Sequence, residues 1–66
     1  MQITVNGNAR SVENNMVLVA LLQDLGLKPE ATVIERNGAV LERAHIAETV
    51  LAEGDVLELV RFVGGG

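Results

Sequence analysis

The last three residues, Gly64, Gly65 and Gly66, form the part of this sequence whose chemistry is easiest to state. A glycine run has no side chains to pack and weakens any strand that it enters. We therefore expect an exposed, flexible tail that spans at most about 10 Å when it is fully stretched. Because glycine tolerates a close approach of the backbone, such a tail fits a narrow channel. It would present the terminal carboxylate of Gly66 to a partner's active site.

Other reactive groups are few. The 66 residues include one histidine, His45, and no cysteine, which excludes disulfides, thiol nucleophiles and the usual zinc or iron–sulfur sites. We find no nucleophile–base pair and no phosphate-binding glycine loop, so a small enzyme is the least favoured class and no metal is expected. A glycine run by itself also fits a frayed terminus, and composition leaves both interpretations open.

The composition is that of one small globular domain, with 48% hydrophobic residues and a net charge of −4. Five scattered cations and a single aromatic residue, Phe62, argue against nucleic-acid binding. The longest apolar run, 16–22, is too short to span a membrane, and the N-terminus lacks the features of a signal peptide. We expect one domain over 1–66, with 64–66 as its tail, in a cytoplasmic protein.

Two Asn-Gly dipeptides, Asn6-Gly7 and Asn37-Gly38, lie between apolar segments and predict hairpins with type I′ turns. We interpret both pairs as turns without a further role. The predicted strands are 2–5, 8–12, 32–36, 39–41 and 56–62.

One main helix is predicted between the hairpins. Asn14 or Asn15 is expected to cap its start, and Gly26 is expected to end it in a left-handed conformation. One or two irregular turns are expected over 42–51, with His45 at the surface. The helix is indicated by leucines at the spacing i, i+3, i+4 and i+7, namely Leu18, Leu21, Leu22 and Leu25.

This order of elements predicts an α+β roll of the β-grasp (ubiquitin-like) type. A mixed sheet of about five strands packs one face on the main helix, and its other face meets water. The first and last strands are parallel at the centre of the sheet, and the flexible diglycine tail follows the last strand. Along that strand, Leu57, Leu59 and Arg61 share one face, whereas Val56, Glu58, Val60 and Phe62 share the other.

Three segments make the whole chain resemble the ThiS family, the sulfur-carrier proteins of thiamine biosynthesis. They are Val33-Ile34-Glu35-Arg36-Asn37-Gly38, the turn Glu53-Gly54-Asp55 and the ending Val63-Gly64-Gly65-Gly66. Ubiquitin and other β-grasp carriers share the diglycine ending. The short chain, together with Gly54-Asp55 before the last strand, makes the resemblance more specific.

The resemblance implies a protein co-substrate that binds no cofactor itself and is monomeric when free. An adenylating (E1-like) enzyme would use ATP to convert the Gly66 carboxylate to an acyl-adenylate. A persulfide sulfur donor would then displace AMP and leave a thiocarboxylate, whose sulfur thiazole synthase would accept. Gly64 and Gly65 would make the tail long and narrow enough to enter the active site of a partner.

The partner is expected to dock beside the tail. Val60, Phe62 and Val63 are the apolar candidates, and Glu58 is expected to be a rim charge. Arg61 would either pair with an acidic partner surface or remain a solvated charge. The alternative for Phe62 is that it caps the core.

Other functions share the same features. The nearest is the small subunit of molybdopterin synthase, which also carries a thiocarboxylate, and a carrier for tRNA thiolation or amino-acid synthesis also stays open. A ubiquitin-like conjugating or adaptor module belongs to a different class, in which Gly66 would be joined to partner lysines.

Overall fold

The structure is a computed structural model, and it describes residues 1–62. Val63 and the expected tail at 64–66 lie outside the described residues. Strands and helices follow one another in the predicted order, and β2, β4 and β5 each end one residue before their predicted bounds. The strands are β1 (Gln2–Val5), β2 (Asn8–Ser11), β3 (Thr32–Arg36), β4 (Ala39–Val40) and β5 (Val56–Arg61); the helices are α1 (Leu18–Asp24), a 3-10 helix (Pro29–Ala31) and α2 (Arg43–Ile46).

The strands form one mixed sheet in the order β2-β1-β5-β3-β4. β5 is central: it runs parallel to β1 and antiparallel to β3. The β-grasp prediction is therefore confirmed. Both Asn-Gly turns are also confirmed, with φ of 49° and 83° at Asn6-Gly7 and of 53° and 87° at Asn37-Gly38. Positive φ at both central residues is what a type I′ turn requires.

The helix α1 packs its leucine stripe on the inner face of the sheet. Leu18, Leu21 and Leu22 are fully buried. The helix ends at Asp24, and Gly26 follows its last turn in the predicted left-handed conformation, with φ of 73°. Gly26 N–H donates to the carbonyl of Gln23 at 3.0 Å, and Leu27 N–H donates to that of Leu22 at 2.8 Å. This pair of bonds is the Schellman motif, which satisfies carbonyls that the helix end leaves free.

The prediction that Asn14 or Asn15 caps α1 is wrong. The N-cap is Val17, which is extended and makes no side-chain capping bond. Val17 forms an isolated antiparallel bridge with Val50, and Leu18 N–H donates to the backbone carbonyl of Thr49 at 2.9 Å. A distant backbone segment thus satisfies the helix start, and local sequence patterns cannot show such a contact. Within residues 1–62, no helix is long and apolar enough to cross a membrane.

The core lies between α1 and the sheet. It is small, as expected for a chain of this length. Thr32 and Asp55 are buried polar residues at its margin. The buried apolar side chains are Ile3, Val5, Leu18, Leu21, Leu22, Ile34, Ile46, Leu51, Leu57 and Leu59.

We expect Leu21→Ala or Leu59→Ala to lower the free energy of unfolding by about 2–5 kcal/mol, because each substitution empties a buried site. Val40→Ala is the control, since Val40 is 66% exposed. Urea denaturation measures all three variants. Equal midpoints for the wild type and both leucine variants would contradict the packing described here.

Candidate functional site

The outer face of β5, which points away from α1, carries Glu58 and Val60 of the predicted docking residues, and Phe62 follows the strand directly. Val60 is 59% exposed and Phe62 is 46% exposed. Phe62 does not belong to the buried core or to the partly buried side chains packed on it, so its alternative role as a core cap is not supported. Docking itself stays a prediction. The outer face at this end of β5 adjoins the segment that leads to the tail.

The exposed apolar surface extends beyond the predicted docking residues. Val33 lies directly opposite Val60 in the β3–β5 register, and Val40 of β4 lies opposite Glu35. The alternation of buried Thr32 and Ile34 with exposed Val33 on β3 is a signal that could have revealed this extension. We call these exposed side chains the apolar patch: Val33, Val40, Val56, Val60 and Phe62.

The charged candidates occupy different places. Glu58 is exposed and lies on β5 between Val56 and Val60, so it sits within the apolar patch and not at its rim. Its cross-strand partner is Glu35, which the sequence analysis did not single out. Arg61 lies opposite buried Thr32 and, by the alternation of the strand, projects from the face that carries α1. Arg61 therefore lies off the face that carries Glu58.

Asn6 holds β5 in the middle of its length. Its backbone N–H donates to the carbonyl of Leu57 at 2.9 Å. Its side-chain Oδ1 accepts from Leu59 N–H at 2.7 Å, and its Nδ2 donates to the Leu59 carbonyl at 3.2 Å. The carboxamide thus replaces the peptide groups that a longer β1 would have offered. The interpretation of this Asn-Gly pair as a turn without a further role is therefore wrong.

A buried polar cluster fixes the start of β5. Asp55 is 5% exposed, and its carboxylate accepts from Ala52 N–H at 2.9 Å, from Asn37 Nδ2 at 3.1 Å and from Arg36 Nε at 3.1 Å. Asn37 Oδ1 in turn accepts from Val56 N–H at 2.9 Å. The second Asn-Gly pair therefore also binds β5 through its asparagine side chain, which again corrects the interpretation as a turn alone.

The electrostatics of this cluster favour the ionised carboxylate. Burial acts to raise the pKa of the Asp55 carboxyl. The hydrogen bonds from Ala52, Asn37 and Arg36, with the positive charge of Arg36, outweigh burial and hold that pKa below its usual value of 3.8. Arg36 Nη2 lies 2.9 Å from Asp55 Oδ2 and also donates to the Val50 carbonyl at 3.1 Å. The ion pair thus joins the end of β3 to the loop that leads into β5.

Groups able to act as catalysts do not converge in the described part of the chain. His45 is exposed on α2, as predicted. A groove of about 640 Å³ lies between residues 10–17 and the outer side of α1, and its lining does not include His45. Within residues 1–62, no three acidic, histidine or cysteine side chains gather as a metal site would require. The feature that distinguishes this surface is the apolar patch next to the end of β5.

Comparison with known proteins agrees with this fold. A family model described as the ThiS family matches residues 3–66. A sulfur carrier protein ThiS from Bacillus subtilis is 37% identical over 46 residues, which are 70% of each chain. The crystal structure of a thiamine biosynthesis protein (ThiS) from Geobacter metallireducens superimposes with a TM-score of 0.82 at 36% identity, and the match covers both chains fully.

A longer relative is also similar. A thiazole synthase from Magnetococcus marinus is 42% identical over 66 residues, which are all of this chain but 20% of that relative. The chain thus spans about a fifth of the length of that protein. Because the family model covers nearly every residue, the chain belongs to the ThiS family.

We expect Asn6→Gly to lower the free energy of unfolding by about 1–3 kcal/mol, because it removes two hydrogen bonds to Leu59 and leaves those backbone groups without a partner. Glycine keeps the positive φ of the turn. Asn15→Gly is the matched control: Asn15 also has positive φ, 63°, and no side-chain hydrogen bond is found for it within residues 1–62. Urea midpoints compare the variants, and an equal loss in both would show that the Leu59 bonds contribute nothing.

The lowered pKa of Asp55 predicts a pH-dependent contribution to stability. A depressed folded-state pKa stabilises the fold above the unfolded value and loses that effect as pH falls through the folded value. Asp55→Asn should therefore cost about 1–3 kcal/mol at pH 7, and its difference from the wild type should shrink as pH falls below 3.8. Asp24→Asn, at an exposed position, is the control. Urea midpoints from pH 7 to pH 3 test the prediction, and a constant difference contradicts it.

Proposed function

We propose that this chain is a sulfur carrier protein of thiamine biosynthesis whose reacting group is the Gly66 carboxylate. The observation that carries the proposal is the match to the ThiS family over residues 3–66. The Bacillus subtilis relative, named as a sulfur carrier protein, supports the same role. On this proposal the chain is a co-substrate and not an enzyme, and its surface serves to bring the terminus to its partners.

The chemistry begins with activation of the carboxylate. A carboxylate is a poor electrophile because its leaving group would be oxide. An adenylating enzyme therefore joins the Gly66 carboxylate to AMP at the expense of ATP, and pyrophosphate is released. A persulfide sulfur on a donor protein attacks the carbonyl carbon and AMP departs. The product is an acyl disulfide that still contains the sulfur–sulfur bond of the persulfide. A thiol then attacks the donor protein's sulfur, which breaks this bond, forms a disulfide between the thiol and the donor, and leaves the thiocarboxylate on Gly66.

Thiazole synthase is proposed as the acceptor of this sulfur. Support comes from the Magnetococcus marinus protein, in which a segment similar to this chain lies within a longer thiazole synthase. Such a fusion is expected where two functions act together. The relatives' names favour thiamine biosynthesis over the molybdopterin alternative.

The apolar patch is proposed as the docking surface for the adenylating enzyme. Three glycines reach at most about 10 Å, so an enzyme that works on their end must contact the nearby surface of the domain. Val60 and Phe62 are the exposed apolar residues nearest to the tail, at the C-terminal end of β5. A contiguous exposed apolar surface is typical of an interaction site, and aromatic residues such as Phe62 are enriched at interface cores.

Deletion of Gly66 should abolish adenylation, because the reacting carboxylate moves by one residue while no core residue changes. ATP–pyrophosphate exchange by the adenylating enzyme of the same organism is the measurement. A C-terminal tag should have the same effect, and the same tag at the N-terminus is the matched control. Normal exchange by the truncated chain would refute the carrier proposal.

Phe62→Ala should weaken binding to that enzyme by about 1–3 kcal/mol and change folding stability much less. Val40→Ala, at the far edge of the sheet, is the comparison within the patch. Titration calorimetry and thermal melts separate the two effects. A strongly destabilised Phe62→Ala variant that binds normally when folded would place the docking surface elsewhere.

A further inference from the structure

Two glutamates face each other across the outer side of the sheet. Glu35 and Glu58 are directly paired in the β3–β5 register, and both are exposed. Asn37 N–H donates to the Val56 carbonyl, and Phe62 N–H donates to the Ala31 carbonyl. Because bonded pairs alternate along an antiparallel ladder, Glu35 and Glu58 are a hydrogen-bonded pair, with Cα atoms about 5.5 Å apart.

Like charges in this position destabilise a sheet, and residues 1–62 place no positive charge beside them. Within residues 1–62, the only ion pair joins Arg36 to Asp55, on the opposite side of the sheet from Glu58. Arg61 also projects from that opposite side. None of the five cations lies at an outward strand position in the described part of the chain; the other three are Arg10, Lys28 and Arg43.

Apolar side chains surround the two carboxylates. Val33 and Val60 form the next cross-strand pair towards the end of β5, and Val56 precedes Glu58 on the same strand. Val40 lies on the far side of Glu35. When a partner covers these valines, water is excluded from the glutamates, and an ion pair formed there is stronger than one at an open surface.

We propose that the apolar patch docks the adenylating enzyme through a single arginine or lysine of that enzyme, which lies between Glu35 and Glu58. The inference rests on the proposed function and adds the chemistry of the partner's surface: one cation set within apolar side chains. The Glu35–Glu58 pair only weakens the free domain. A cation of the partner would remove the repulsion between the two carboxylates, which explains why the pair is present. Departures from sheet rules of this kind are typical of functional sites.

Charge argues against other occupants of this face. A second copy docked face to face would bring four glutamates together, since a two-fold interface repeats the same patch on both sides. Nucleic acids and anionic membranes would place phosphates against the two carboxylates. A protein surface that carries a basic side chain among apolar ones complements both the two carboxylates and the valines around them.

Glu35→Lys separates a role in binding from a role in folding. Opposite charges across the pair replace the repulsion by attraction, so the melting temperature of the free domain should stay the same or rise. Affinity for the adenylating enzyme should fall by about tenfold or more, because a like charge now meets the partner's cation. A merely structural role would move stability and affinity in the same direction.

Glu48→Lys is the matched control, because Glu48 is exposed, lies outside the sheet and undergoes the same change of charge. Its affinity should stay within about twofold of the wild type. Glu58→Gln removes one charge with little change of shape. It should weaken binding by about tenfold and reduce the salt dependence of the affinity. This variant tests the same site should Glu35→Lys fail to fold.

Titration calorimetry with the full chain and the adenylating enzyme, at low and high salt, gives these affinities. Wild-type affinity for Glu35→Lys or for Glu58→Gln overturns the proposal, as does an equal loss in Glu48→Lys. ATP–pyrophosphate exchange at saturating carrier is measured beside each titration. If the wild type supports exchange and the variants bind normally, the cation site is refuted but the carrier function is not. No exchange with the wild type refutes the carrier function, and with it the docking proposal.

Discussion

The alternation of side chains along β5 is the constraint on which the rest of the structure depends. This strand is central in the sheet, and its odd positions, Leu57 and Leu59, complete the core against α1. Its even positions must then project from the opposite face. A domain of this size has no second layer to cover that face. The strand that closes the core is therefore also the strand that exposes Val56, Glu58 and Val60 on the outer face.

Polar side chains compensate for the short strands that flank β5. β1 pairs with β5 at only two positions, and the Asn6 carboxamide extends the bonding to Leu59. At the other end, Asp55 collects bonds from Arg36, Asn37 and Ala52. These contacts come from hairpin turns and a loop, and no disulfide is available to a chain without cysteine. The position of β5 thus depends on side chains that a sequence pattern assigns to turns.

The sequence predicts the fold well where local patterns suffice. Positive φ at Asn-Gly, the leucine stripe of α1 and the end of the helix at Gly26 follow from rules that span a few residues. The N-cap prediction fails because Val17 binds a segment more than 30 positions away. The hydrogen bonds from the side chains of Asn6 and Asn37 to β5 were not predicted for the same reason, because their partners Leu59 and Val56 are distant in sequence. The outward position of Val33 follows from alternation along β3, but its place opposite Val60 required the register of β3 with β5.

Residues that weaken the free domain are informative because folding does not explain them. Buried leucines and the Asp55 cluster contribute to stability, so their presence follows from the need to fold. Exposed valines beside two opposed glutamates contribute little or act against it. The face that carries them adjoins the end of β5, and the five residues 62–66 that follow the strand span at most about 17 Å. On the proposed function, a partner that acts on the carboxylate of Gly66 works next to this face, and docking there would account for both the like-charged pair and the exposed valines.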